Sequence, residues 1–113
     1  MRITKENIHE FIEGTIMNCD NIGVTYIEYI PDHIKYLYCG DNRLTELPKL
    51  PDGLIYLYCY SNKLTSLPKL PESLGNLSCI KNNLPYEVTI DNIKEHNKIL
   101  KRKEILEKIR SIH

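Results

Sequence analysis

Leu54-Ile55-Tyr56-Leu57-Tyr58-Cys59-Tyr60-Ser61-Asn62-Lys63-Leu64-Thr65-Ser66-Leu67-Pro68-Lys69-Leu70-Pro71 is the clearest copy of a unit that recurs every twenty residues. One period earlier, Leu37, Cys39, Asn42, Leu44, Leu47, Pro48, Leu50 and Pro51 hold the same slots. One period later, Leu77, Cys79, Asn82 and Leu84 hold them again. The four cysteines, Cys19, Cys39, Cys59 and Cys79, all stand twenty residues apart. The column Met17/Leu37/Leu57/Leu77 keeps that spacing, as do Val24/Leu44/Leu64/Leu84 and Ile30/Leu50/Leu70/Ile90. A fixed period of this size marks stacked supersecondary units. The first copy is a variant, with Ile22 in the Asn column and Ile27-Glu28 in place of Leu-Pro.

The unit has a physical logic. Leu57 and Cys59 are two residues apart, which puts both on one face of a short strand. Strands repeated at this interval stack in parallel, and Leu64, Leu67 and Leu70 fold back beneath them. The Leu-Pro steps favour extended backbone on the return path. Asn42, Asn62 and Asn82 carry both donors and an acceptor, so each can satisfy main-chain groups where the chain leaves its strand. Buried without such partners, the amides would be costly.

Written as Leu54-x-x-Leu57-x-Cys59-x-x-Asn62-x-Leu64, the unit resembles the leucine-rich repeat, with Cys in the third apolar slot. Its length and its Leu67-Pro68-x-Leu70-Pro71 ending are similar to the short bacterial-effector class of that family. In style, the Cys-x-x-Asn-x-Leu units and the tail from Asn82 onward also resemble leucine-rich repeat proteins of giant amoebal DNA viruses. The resemblance covers residues 30–89 strongly and 10–29 weakly. It implies an α/β repeat: a short leucine-rich-repeat solenoid with a parallel β-sheet of about four short strands and helical caps at both ends. The expected layout is a single domain over 1–113, with an N-terminal helical cap at 1–14, repeats at 15–90 and a C-terminal helix at 91–113. Effectors of this class often carry a ubiquitin-ligase domain. No such domain fits in 113 residues, and that activity is not carried over.

Composition agrees with a small folded domain. Of the 113 residues, 42% are hydrophobic and 27% charged, and no apolar run approaches the ~20 residues of a membrane span. The start, Met1-Arg2-Ile3-Thr4-Lys5-Glu6-Asn7, lacks the apolar core of a signal peptide, so a cytoplasmic chain is expected, in the host cytoplasm if the protein is viral. Lys and Arg together number 15, as do Asp and Glu. The balance conceals an asymmetry: residues 1–30 carry two basic and five acidic groups, while residues 91–113 carry seven basic and four acidic.

The cysteines invite a zinc or disulfide reading, but no Cys-x-x-Cys pair is present. Sulfurs in a line on successive strands form no tetrahedron, and parallel side chains give a poor disulfide dihedral. The cysteines therefore read as small buried core residues, and no metal or cofactor is expected. His9, His33, His96 and His113 show no ligand spacing, and no metalloprotease, P-loop or dinucleotide motif occurs. No catalytic residue is assigned, and the chain reads as a non-enzyme. Asn76-Leu77-Ser78 matches a glycosylation sequon but lies in a predicted strand of a chain expected to stay inside the cell.

At the ends, Ile8, Phe11 and Ile12 suit one side of a first cap helix, with Gly14 as its stop. In the tail, Asp91 or Asn92 can cap a helix start. Its apolar residues split between two sides, Ile93 and Leu100 on one and Ile99, Ile105, Leu106, Ile109 and Ile112 on the other. Such a helix either bends near Lys101-Arg102-Lys103 to dock both halves, or presents its second half for self-association or a partner.

If Leu37 and Cys39 point inward, their neighbours point outward. The outward sets are Ile16, Asn18 and Asp20; Tyr36, Tyr38 and Gly40; Tyr56, Tyr58 and Tyr60; Asn76, Ser78 and Ile80. Five of the eight tyrosines then share one concave face, the surface on which solenoids bind. Tyrosine offers large contact area at low conformational cost. The expected function is non-catalytic binding of a protein partner through Tyr36, Tyr38, Tyr56, Tyr58, Tyr60, Asn76 and Ser78. One alternative is single-stranded nucleic-acid binding on the same face with the basic C-terminal helix; it is disfavoured because only the loop residues Arg43, Lys63 and Lys81 flank the face. Another is a structural subunit that self-associates through that helix.

Overall fold

A computed structural model describes residues 1–112; His113 lies outside the described residues. The elements are β1 (Arg2–Ile3), a 3-10 turn (Ile8–Phe11), β2 (Ile12–Glu13), β3 (Ile16–Asn18), β4 (Tyr26–Ile27), β5 (Tyr36–Tyr38), β6 (Tyr56–Tyr58), β7 (Asn76–Ser78), a 3-10 turn (Ile90–Asn92) and α1 (Ile93–Ile112).

The twenty-residue period of the sequence is the register of the main sheet. Ile16 pairs with Tyr36, Tyr36 with Tyr56 and Tyr56 with Asn76, all in parallel. Met17, Leu37 and Leu57 are fully buried on the inner side, while the residues flanking them are not. The bonding continues past the strands. Cys19, Cys39 and Cys59 donate their N–H groups to the carbonyls of Tyr38, Tyr58 and Ser78 at 2.8–2.9 Å. Val24, Leu44, Leu64, Leu54 and Leu70 lie beneath the sheet with no exposure. At the return turns, Ile34, Leu54 and Leu74 donate to the carbonyls of Pro31, Pro51 and Pro71.

The asparagine column holds the copies together. Asn62 Nδ2 donates to the carbonyls of Cys39 (2.9 Å), Cys59 (3.1 Å) and Tyr60 (3.2 Å), and its Oδ1 accepts from Leu44 N at 2.9 Å. Asn42 repeats this with Cys19, Cys39 and Gly40, and its Oδ1 accepts from both Ile22 and Val24. Asn82 does the same with Cys59, Cys79, Ile80 and Leu64. Each side chain thus links its own copy to the one before, and no buried side-chain polar atom among the described residues lacks a partner. Immediately before each Asn, and before Ile22, one residue turns left-handed: Asn21, Asp41, Ser61 and Lys81 have φ between 51° and 56°. In the three Asn copies that turn carries the Asn side chain inward, whereas Ile22 stays exposed.

The architecture differs from the sequence expectation in three respects. The main sheet is mixed: four strands, β3, β5, β6 and β7, run parallel, and β2 joins their edge antiparallel to β3. A second, two-stranded sheet pairs β1 with β4. The N-terminal segment is not a helical cap: its only helical part is the 3-10 turn Ile8–Phe11 between two-residue strands. The chain reverses between β2 and β3 at Gly14, whose φ of +60° glycine adopts without steric cost. Ile3 and Ile8 are buried there, so the end of the core is covered by strand and turn.

At the other end, α1 is one unbroken helix of 20 residues, so of the two alternatives the bend near Lys101 is absent. Its entry is set by Asn92, whose Oδ1 accepts from Thr89 N at 2.8 Å, with Thr89 rather than Asp91 or Asn92 standing as the cap of the leading 3-10 turn. Its first half docks through Ile93 and His96, which are buried. Residues 101–112 are all exposed.

Candidate functional site

Strand alternation delivers four tyrosines to the outer face of the main sheet. Tyr36 and Tyr38 flank the buried Leu37 on β5, and Tyr56 and Tyr58 flank Leu57 on β6. Parallel registry then sets the rings beside one another. Tyr38 stacks on Tyr58 with centroids 5.3 Å apart and planes 17° off parallel. Tyr36 meets Tyr56 edge-on at 4.9 Å, and Tyr56 meets Tyr58 edge-on at 5.9 Å. Each pair contributes on the order of 0.2–1 kcal/mol to the sheet. The rings are half-buried by one another and open to solvent on their outer side.

Tyr60 takes a different place from the other four. It lies beyond the end of β6, and its ring covers Gly40 so closely that a Cβ there would meet Cζ at 2.5 Å. Glycine at position 40 is thus what seats the ring. Asp20 is the nearby anchor: its Oδ1 accepts from Gly40 N at 2.7 Å. The Asp20 charge, then desolvation, then Asp41 push the Tyr60 phenol upward. Partial burial pushes the Asp20 carboxyl up, and the Asp41 charge adds to it, against the Gly40 bond that lowers it. Two carboxylates, Asp20 and Asp41, thus stand at this end of the face, with Arg43 two residues beyond Asp41. No Lys or Arg occupies the strand positions of β3, β5, β6 and β7, while Lys81 stands on the opposite side, after β7.

Asn76 and Ser78 continue the face on β7, pairing with Tyr56 and Tyr58, but they add no aromatic surface. Ile16 and Ile80 border it at 43% and 64% exposure. A trough of about 300 Å³ runs beside β7, between it and the Tyr86–Thr89 segment, and lies apart from the tyrosine cluster.

The cysteines line the core end of each strand. All four are free and buried. Burial pushes the Cys19 thiol up to about 12, with the Asp20 charge adding to it, and burial likewise raises Cys39 and Cys59. Cys79 Sγ donates to the Val88 carbonyl at 3.0 Å. Raised thiols at full burial are poor nucleophiles. Among the described residues, no group of three or more His, Cys, Asp or Glu is placed to hold a metal ion, and no helix is long and apolar enough to cross a membrane.

One polar group was not singled out by sequence. His96, 2% exposed, has Nε2 at 3.0 Å from the Pro68 carbonyl and Nδ1 at 2.7 Å from Tyr86 Oη. The carbonyl only accepts, so Nε2 carries the proton and Tyr86 donates to Nδ1. Beside it, Asn97 brackets Leu70, accepting from its N at 2.9 Å and donating to its carbonyl at 2.8 Å. These residues fasten α1 to the last return path. A histidine followed by asparagine on a helix is a weak signal without the fold.

No protein-family model matches the chain, and no curated protein matches it.

Proposed function

We propose that the chain is a leucine-rich repeat module of the short twenty-residue class and that it binds a protein partner, without catalysis, through the concave tyrosine face of its sheet. The observation that carries this reading is the four-ring cluster of Tyr36, Tyr38, Tyr56 and Tyr58 on the outer side of adjacent strands. Aromatic rings gathered at the middle of a surface are the residue type on which interface energy concentrates. The strand-to-strand registry and the asparagine column support the family assignment, because both repeat at twenty residues. Tyr60, Asn76 and Ser78 extend the surface to either side.

The reading is tested by capturing partners from the native host cell on immobilised protein, comparing wild type with Tyr38→Ser/Tyr56→Ser/Tyr58→Ser. A protein retained by wild type and lost by the variant supports it. Equal capture by both moves the site elsewhere. Binding of single-stranded oligonucleotide that weakens steeply with salt would replace the protein partner with nucleic acid.

A further inference from the structure

Two surfaces of one molecule are uncovered and opposite in character. The first is the far half of α1. Residues 101–112 are exposed throughout, with Ile105, Leu106 and Ile109 at 46%, 51% and 47%. Ile105, Ile109 and Ile112 follow at four- and three-residue steps, which places them on one side of the helix. Five basic residues, Lys101, Arg102, Lys103, Lys108 and Arg110, stand among them against only Glu104 and Glu107. The second surface is the tyrosine face, aromatic at its centre, bordered by exposed Ile16, and carrying the carboxylates of Asp20 and Asp41 at one end. Apolar area of this kind on both surfaces is normally covered by a partner.

Their dimensions agree. Twelve helical residues span ~18 Å at 1.5 Å each. Four parallel strands, with three gaps of ~4.8 Å, are ~14 Å across from the first axis to the last, so the helix is long enough to cross the whole sheet. The helix cannot reach the face of its own molecule. It is unbroken, and its first half is pinned at Pro68 and Leu70 on the return path by His96 and Asn97.

We propose that residues 101–112 of a second copy of this chain dock across the tyrosine face, with Ile105 and Ile109 on the rings and the Lys101–Lys103 segment toward Asp20 and Asp41. The proposal rests on the tyrosine face being a binding surface and names a second copy as what it binds. The contact is heterologous, helix of one molecule to face of the next, so it extends head to tail. Its strength is salt-dependent, because opposite charges meet at a partly exposed rim.

Sedimentation of the full-length protein tests this with four samples: wild type; a face variant, Tyr38→Ser/Tyr56→Ser/Tyr58→Ser; a helix variant, Ile105→Gln/Ile109→Gln; and the two variants mixed in equal amounts. Glutamine keeps helix propensity at both positions, and circular dichroism confirms that each variant is folded. The wild-type mass is expected to rise above the monomer's 13.2 kDa with concentration and to fall back with added salt. Each variant alone is expected at the monomer mass. The mixture is expected to form a dimer, because it contains one intact face and one intact helix. A face variant that still associates by itself would overturn the proposal in favour of helix–helix pairing. A wild type that stays monomeric at every concentration would overturn it as well. If that monomer still captures an outside protein that the face variant loses, the face remains a binding surface and only the second copy is ruled out.

Discussion

The asparagine column makes a graded prediction that separates three substitutions of the same chemistry. In Asn62→Leu, four hydrogen bonds disappear, but the consequences are unequal. The Cys39 carbonyl keeps Asn42 as a donor, the Cys59 carbonyl keeps Asn82, and the Tyr60 carbonyl keeps the N–H of Asp41. Only the N–H of Leu44, a residue with no exposure, loses its sole partner. One orphaned buried donor costs about 1–3 kcal/mol. In Asn42→Leu, the Val24 N–H and the Cys19 carbonyl both lose the only partner that this column gives them, and the Ile22 N–H loses one beside them. Two buried orphans put the cost at about 2–6 kcal/mol. Asn83 is exposed and outside the column, so Asn83→Leu should change stability by less than ~0.5 kcal/mol. Urea unfolding of the three variants reads these differences directly, with the slope checked for constancy. The expected order of loss is Asn42 above Asn62 above Asn83. Equal midpoints for Asn62→Leu and Asn83→Leu, or Asn62 exceeding Asn42, would refute the bond accounting.

Other consequences can be measured on the same material. Truncation after Leu100 removes residues 101–112, all exposed, together with His113, and should leave the urea midpoint nearly unchanged while lowering helical ellipticity; a large loss of stability would mean that the far half of α1 packs on the core. His96→Leu leaves the Pro68 carbonyl without its imidazole donor and should cost about 1–3 kcal/mol, with helix signal lost ahead of the sheet transition. The folded-state pKa of Cys19 is raised from 9.0 to about 12, so its thiol contributes stability that is present below pH 9 and lost as pH climbs toward 12. Cys39 and Cys59 shift in the same direction, and alkylation below pH 9 should therefore label them only through unfolding. Rapid labelling of Cys39 in native protein would contradict its burial.

The sheet register was legible in the sequence because each apolar column has a single physical use. Met17, Leu37 and Leu57 recur with the cysteines two residues on, and no other strand pairing keeps all of them inside. The ends were not legible. Ile8, Phe11 and Ile12 fit a helical side as well as they fit a turn followed by a strand, and the choice depends on contacts with β3 and β4 that lie beyond local spacing. Gly14 suits a helix stop by sequence, whereas its positive φ makes a hairpin. The left-handed column has no common sequence signature, because Asn21, Asp41, Ser61 and Lys81 share no side-chain chemistry; Asn and Asp at two of the four are its one hint. The tyrosine positions followed from alternation alone. Their mutual stacking did not, since Tyr38 lies nearly flat on Tyr58 while Tyr36 meets Tyr56 on edge. Sequence alternation groups Tyr60 with them, yet its ring is set apart by the space above Gly40.

The central claim is that the tyrosine cluster is where this protein binds. Its most direct measurement is the dissociation constant of a purified partner for wild type and for Tyr38→Ser/Tyr56→Ser/Tyr58→Ser. The variant loses three ring pairs, so its stability should fall by about 1–3 kcal/mol, and binding is compared well below its melting temperature. The account predicts an affinity loss of roughly a hundredfold or more, as expected when central aromatic anchors are removed. An unchanged dissociation constant in a folded variant would contradict it.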